Sequence, residues 1–325
     1  MTLDRADLAR LAAAAGLGDM IAAEILKQGT VACGRVTTAR GDFHLKRFAR
    51  DLVPSLQPAL AAAAEVERAA RRAGVALAEP IALGLEVGGE LVHVHRWWPG
   101  RPLAPGDDVA DWLGRTLATL HTLAPPAAPG DALTSYYGLH PEPAWRAWLR
   151  DGRGLGWPDG TAAVLAATEV IASGLAAEPA RVGTHRDLLA ANILTDGSAH
   201  ALVDWDSAGP DVPWFEAVRA AVELGRLAAT TGAARPLQPD PRVARAILAA
   251  YARHGGAPGT GGARALAGVL GTALWRLAFA VRAALGQLPA PPAEQAACAA
   301  YVPGALAKLA DRLRGLDALA AALGL

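Results

Sequence analysis

The residues of this 325-residue chain that could do chemistry lie in two short stretches. The first is His185-Arg186-Asp187-Leu188-Leu189-Ala190-Ala191-Asn192, an H-R-D-x-x-x-x-N pattern followed closely by Asp204-Trp205-Asp206. Phosphoryl transfer needs this set of residue types. One Asp takes the proton of an acceptor hydroxyl, while an Asn and a second Asp offer the oxygens that hold Mg²⁺ against the phosphates. With residue frequencies like these, the looser H-x-D-x-x-x-x-N pattern would arise by chance in about one sequence in a thousand. Asn192 is also the only asparagine in the chain. Polar residues that merely cap turns would not need to share this spacing. The second stretch is Phe43-His44-Leu45-Lys46-Arg47-Phe48, a strand pattern with a lysine at its centre. Lysine occurs only at 27, 46 and 308, and every other basic residue is Arg apart from His. An ammonium on a flexible stem reaches between phosphate oxygens where a planar guanidinium fits poorly. The customary partner of such a lysine is a Glu on the following helix. Glu65 has the more suitable distance from Lys46, and Glu67 shares an apolar stripe with Leu56, Leu60, Ala63 and Ala70. Glu65 is the preferred partner.

The elements that must position these residues follow from periodicity and punctuation. Apolar positions at 3, 8, 11, 12 and 15 predict an amphipathic helix over the first segment. Short alternating runs from Ile25 to Phe48, with a turn at Arg40-Gly41-Asp42, predict two or three antiparallel strands. A helix then runs from Pro54 to Ala73 and stops at Gly74, and strand-like patches from Val75 to Val94 turn at Gly88-Gly89. After Trp97-Trp98-Pro99-Gly100 the chain becomes helical. Helices are expected over 108–123, 143–150, 161–177, 214–230, 241–254, 263–285 and 292–314, with a loop at 125–130. One β-like island, 192–205, interrupts them with a turn at Asp196-Gly197. Trp112, Trp205 and Trp275 read as packing residues, whereas Tyr136, Tyr137, His140, Trp145, Trp148 and Trp157 divide evenly between packing and ligand contact. Glu216 reads as a structural acid at a helix start.

Composition narrows the function classes. Thirty-one basic residues balance 31 acidic ones, with a pI near 7.1, which argues against a nucleic-acid binder of the basic-patch kind. A hydrophobic share of 52% supplies a large core and excludes wholesale disorder. With only Cys33 and Cys298 there is no disulfide framework, and a reducing compartment is expected. The first residues carry acids and show no basic segment leading into an apolar stretch, so no secretory signal is expected, nor a membrane helix. A cytoplasmic protein is the expectation.

Taken together, the Lys46 strand, the Trp98-Pro99-Gly100-Arg101-Pro102-Leu103 linker, the Leu117-Ala118-Thr119-Leu120-His121 helix, the 185–192 loop and Asp204 resemble the aminoglycoside phosphotransferase and choline-kinase-like family over most of the chain. The resemblance implies an α+β, bilobal protein-kinase-like fold. Residues 1–98 would form a small antiparallel-sheet lobe that binds nucleotide, and 99–325 a larger, mainly helical lobe for catalysis and the acceptor. It implies an ATP-dependent, Mg²⁺-assisted kinase, with GTP as the alternative donor, acting on a hydroxyl of a small molecule such as an antibiotic or related natural product. Asp187 would be the base, Asn192 and Asp204 the Mg²⁺ ligands and Lys46 the phosphate clamp. The adenine would bond to linker backbone at Arg96 and Trp98, with His95 behind it. The loop at Gly29 to Gly34 departs from G-x-G-x-x-G. Two other readings stay open: a primary-metabolic kinase for choline, a sugar or homoserine, and a nucleotide-binding pseudokinase-like regulator. Nucleic acid and membrane partners are not expected.

Overall fold

A computed structural model describes residues 2–29, 31–50, 53–126, 136–230, 238–288 and 290–325. Thr30, in the expected phosphate loop, and residues 127–130, in the expected loop after the first C-terminal helix, lie outside the described residues. The chain divides into two compact units. One comprises Met1–Leu103, Thr122–Pro129 and Gly183–Gly209, and the other the remaining segments. The segment that carries Asp187, Asn192 and Asp204 therefore clusters with the N-terminal sheet.

In the first unit, helix α1 (Arg5–Ala14) opens with a capping box in which Asp4 accepts the Asp7 N–H and Asp7 reaches back to the Asp4 N–H. Five antiparallel strands follow: β1 (Met20–Lys27), β2 (Val31–Thr38), β3 (Gly41–Phe48), β4 (Pro80–Val87) and β5 (Glu90–Arg96), in the order β1-β2-β3-β5-β4. Helix α2 (Val53–Arg72) is inserted between β3 and β4. β1 starts five residues before the expected Ile25. Its run of small and aliphatic residues lacks the alternation that marks the later strands, and its pairing with β2 has two register irregularities.

The period of two in β3 and β5 assigns each residue to a sheet face. Phe43 and Leu45 join Ala32, Val36, Val92 and Val94 in a core with Leu8, Leu11 and Ala12 of α1. The opposite face carries His44 paired with His95 and Lys46 paired with His93. There Phe48 and Leu91 pack with Leu60 of α2. Gly34 is required where α1 crosses β2, since a Cβ would lie 2.8 Å from Leu8 Cδ1 and 2.9 Å from the Glu24 carbonyl oxygen. The short strand β6 (Arg101–Pro102) pairs with β8 (Ile193–Thr195), which forms a hairpin with β9 (His200–Leu202). Among the described residues two further short strands are β7 (Val182–Thr184) and β10 (Gly209–Asp211). β6 and β7 are too short to leave a periodic trace in the sequence.

The second unit is helical: α3 (Ala110–Leu120), α4 (Glu142–Asp151), α5 (Thr161–Ala177), α6 (Pro213–Ala228), α7 (Pro241–Arg253), α8 (Ala267–Ala284), α9 (Pro292–Arg314) and α10 (Leu316–Leu323). α6 is its centre, buried from Trp214 to Val222. Buried polar groups are paired there as desolvation requires. His121 bridges Glu216 Oε2 and the Tyr251 hydroxyl, each at 2.9 Å, and Asp211 accepts from the Tyr137 hydroxyl at 2.6 Å and from Arg219 at 3.3 Å. Among the described residues, Gly262–Ala284 is the one helical stretch long and apolar enough to cross a membrane, and 67% of its apolar window is buried within the protein.

A prediction follows from the α1–β2 crossing. Gly34→Val should lower stability by about 1–3 kcal/mol through overpacking, read as a fall in the midpoint of thermal unfolding. Any rise in that midpoint would refute the close-approach assignment.

Candidate active site

The 185–192 loop is held from behind. His185 is fully buried; its Nε2 donates to the Val203 carbonyl at 3.0 Å and its Nδ1 accepts the Asp187 N–H at 3.3 Å. That pair of bonds fixes a neutral ring protonated on Nε2. The ring lies 4.5 Å from that of Trp205, which is itself 3% exposed. Asn192 Nδ2 donates to the Asp187 carbonyl at 2.8 Å and to Asp187 Oδ2 at 2.9 Å, so the amide positions the carboxylate and its own Oδ1 is the atom to offer a cation. The Val203 N–H bonds to the Asn192 carbonyl at 3.0 Å and ties the loop to the strand leading into Asp204.

Two non-glycine residues of the described chain have positive φ, Arg186 at 67° and Asp204 at 65°, and they flank the same site. Left-handed backbone at such residues costs about 1–3 kcal/mol and persists where the surroundings over-determine it, commonly at functional centres. Here the bonds of His185, Val203 and Asn192 do so.

Lys46 arrives from the sheet. Its Nζ lies 2.6 Å from Asp204 Oδ1 and is ion-paired with Asp206 as well, with only 14% of the side chain exposed. Burial by itself would depress the ammonium, but the Asp206 and Asp204 carboxylates outweigh it and raise its pKa above the ordinary lysine value. Burial likewise opposes ionisation of Asp206, yet the His93 imidazole and the Lys46 ammonium hold its carboxyl down to about 2. On the same face, burial together with His95 and Lys46 lowers the His44 imidazole to about 4.

Of the residues singled out in the sequence, Asp187 and Asn192 are in contact, as are Lys46 and Asp204, and all four belong to one compact unit. Glu65 corrects the expectation. It is exposed on α2, and the lysine's ion pairs run to Asp204 and Asp206 instead. The reason is helical geometry: Ala63, Val66, Glu67 and Ala70 face inward, and Glu65 sits about 200° around the helix from Glu67. Glu67 is 1% exposed and accepts His95 Nε2 at 2.8 Å. Arg96 pairs with Glu79 at 3.0 Å, and its backbone N–H is already bonded to the Glu79 carbonyl. Trp98 is half-buried.

Asp206 and His93 are members of the site that sequence reasoning did not assign. The D-x-D spacing was the available signal for Asp206. None exists for His93, which looks like any alternating strand residue. Of the aromatic cluster, Tyr137, Trp145 and Trp157 are core residues, whereas Tyr136, His140 and Trp148 remain partly accessible. Trp275, expected as packing, is 44% exposed and stacks on Phe279, because its turn of α8 faces outward.

Asn192 and Asp204 offer only hard oxygen donors, the chemistry that suits Mg²⁺. Among the described residues no group of three or more His, Cys, Asp or Glu could hold a metal ion. A cation here would complete its shell with phosphate oxygens and water, as Mg²⁺ does in nucleotide sites.

An antiparallel sheet with one inserted helix, an H-R-D-x-x-x-x-N loop and a buried lysine bonded to a downstream Asp define a kinase-like phosphotransferase. Structural comparison gives the same fold. A choline/ethanolamine kinase family protein from Mesorhizobium loti aligns over 98% of both chains with 20% identity and a TM-score of 0.63. A spectinomycin phosphotransferase, solved with ADP and spectinomycin, aligns over 97% of this chain and 99% of its own with 12% identity and a TM-score of 0.63. A choline kinase from Streptococcus pneumoniae aligns over 90% and 95% with 13% identity and a TM-score of 0.52. No curated protein matches the sequence. The model of the APH phosphotransferase enzyme family matches residues 34–268, and the chain belongs to that family, an enzyme of the small-molecule kinase class.

The depressed His44 gives a pH prediction. The unfolded imidazole, near 6.5, takes up a proton that the folded one refuses until about 4. Stability conferred by neutral His44 is therefore lost as pH falls from about 6.5 to about 4. Thermal midpoints should drop over that window and drop less in His44→Gln; parallel profiles for the two proteins would refute the assignment.

Proposed function

We propose that the protein is an ATP-dependent, Mg²⁺-assisted O-phosphotransferase whose acceptor is a hydroxylated natural product, an antibiotic or a glycosylated relative of one. The observation that carries the reading is that Asp187–Asn192 and Lys46–Asp204 belong to one backbone-strained constellation, linked through the Val203 N–H on the Asn192 carbonyl. In this reading residues 1–98 bind the nucleotide and residues 99–325 carry the base and the acceptor contacts. With the Arg96 N–H already engaged, its carbonyl and the Trp98 N–H are the linker groups left for adenine. The same backbone groups could serve GTP.

Asp187 takes the proton of the acceptor hydroxyl, oriented by the Asn192 amide. Lys46 supplies a positive charge on the donor phosphates, released from its two carboxylates as the nucleotide enters. Asn192 Oδ1 and Asp204 would hold Mg²⁺, which when bound offsets phosphate charge. The reading places the enzyme in the cytoplasm, where the nucleotide is available.

The helical unit supports the acceptor class. Its accessible aromatic groups, Trp148, His140, Trp275 and Phe279, are accompanied by Arg282 over the Trp148 ring at 5.9 Å. Apolar ring faces suit sugar rings and planar groups, whereas a strongly cationic acceptor would call for acids.

The test is Mg²⁺-dependent ADP release across aminoglycosides, nucleoside antibiotics, macrolides, choline and sugars. One hydroxylated natural product should stimulate it selectively, and Asp187→Ala should reduce kcat by about 10²–10⁴-fold. Lys46→Ala should cut kcat/KM for ATP by about 10²-fold or more. Selective turnover of choline or a simple sugar would replace the natural-product reading. ATP binding with no turnover on any acceptor would favour a regulatory nucleotide binder.

A further inference from the structure

Behind α2, the helix and the edge of the sheet do not close on one another. A cavity of about 240 Å³ lies between the α2 face that presents Leu60, Ala61 and Ala64 and the β4–β5 hairpin. Its cause is a β-bulge. Ala82 pairs with Val94 and Leu85 with Val92, so Leu83 and Gly84 together oppose the single residue His93. A bulged strand bends. Gly84 takes a φ of +75°, a conformation that suits glycine, and no atom lies within 4 Å of the place its Cβ would occupy. The small side chains of Ala61 and Ala64 leave the gap unfilled.

His93 lines this cavity and is 3% exposed. Its ring meets Phe48 edge-on with centroids 5.1 Å apart, and its Nδ1 lies 3.5 Å from Asp206 Oδ1. Its Nε2 is buried with no hydrogen-bond partner among the described residues. Leaving a buried nitrogen unsatisfied is unfavourable, so such a group calls for an explanation. When Nδ1–H is directed at the Asp206 carboxylate, the neutral ring presents a lone pair at Nε2. The neighbouring wall is mostly aliphatic, and its other polar members, Gln57, Glu65 and Arg68, are exposed, with the Gln57 amide donating to Glu86 at 3.1 Å.

We propose that this cavity binds a compact, largely apolar molecule bearing one hydroxyl, a phenol or monocyclic alcohol, whose O–H donates to His93 Nε2 while its ring packs on Leu60, Ala64 and Leu91. None of Lys46, Asp187, Asn192 and Asp204 lines it. It is tied to them through a chain of side chains, since His93 faces Asp206 and Asp206 pairs with Lys46. A donor on Nε2 polarises the ring and strengthens its bond to Asp206. Occupancy then shifts the lysine's ion pair and with it nucleotide affinity, and linkage makes the effect reciprocal. This coupling rests on the phosphotransfer reading; the binding site does not.

Phenol and toluene, near-isosteric rings that carry a hydroxyl and a methyl group respectively, are the probes, titrated calorimetrically and by ligand-observed NMR against the full chain without nucleotide. Phenol should bind saturably, one per chain, at least about tenfold tighter than toluene, as expected for one hydrogen bond of about 1.4 kcal/mol. His93→Phe should bind the two alike. Ala61→Trp, at an exposed helix position over the cavity, should bind neither while keeping the wild-type melting temperature and acceptor-stimulated ADP release. Absence of saturable phenol binding, equal affinity of the wild type for both probes, or a tenfold preference retained in His93→Phe would overturn the proposal. The phenol–toluene comparison in wild type and His93→Phe decides the matter even if Ala61→Trp fails to fold. Intact phenol binding in a protein that phosphorylates nothing would refute the functional reading and leave this one standing.

Discussion

A buried ammonium is the constraint on which the site depends. Lys46 projects from the middle of a sheet into a region where it is largely removed from water, and an unpaired charge there would be strongly unfavourable. The two carboxylates of the Asp204-Trp205-Asp206 turn resolve this, so the turn must sit against the sheet. That requirement fixes the β8–β9 hairpin, which delivers the turn, and through Val203 and His185 it fixes the loop that carries Asp187 and Asn192. Residues 183–209 cluster with the N-terminal sheet through this ion-pair network and through backbone bonds of Leu202 to Ala76 and Ala78 and of Leu103 to Ala190 and Ile193.

The surrounding residues restrict that network's geometry. His185, held between the Val203 carbonyl and the Asp187 N–H, fixes the backbone that carries Asp187. The left-handed backbone at Arg186 and Asp204 turns the flanking side chains at the two points where the chain must reverse tightly. Strain at both ends of one site, offset by hydrogen bonds in its middle, is the pattern expected where function specifies the backbone.

The sheet face around Lys46 is rich in titratable groups. His44 is kept neutral, His95 is committed to Glu67, and His93 faces Asp206 with its other nitrogen unmet. Glu67, in the inward stripe of α2, serves a histidine while the lysine turns to the two aspartates. The helix between β3 and β4 thus contributes an acid to this face, though to a different base from the one its spacing suggested.

The sequence alone determined the elements with strong period and clear punctuation. The β2–β3 hairpin, α2 with its stop at Gly74, the β4–β5 turn and most of the C-terminal helices follow from hydrophobic spacing, because local sterics and amphipathic burial act over a few residues. It also determined the identity of Asp187, Asn192, Asp204 and Lys46 as candidates, since residue type at fixed local spacing is visible in one dimension. Strand β1 and the two-residue β6 were less visible, the one for want of alternation and the other for want of length. Tertiary structure alone decided which acid meets Lys46, because that choice depends on which side of α2 faces the sheet and on the return of a segment 158 residues away. It likewise decided that Trp145 is core while Trp275 is exposed, and that a bulge opposite His93 leaves a cavity, for burial and register are properties of what packs against a residue and not of the residue itself.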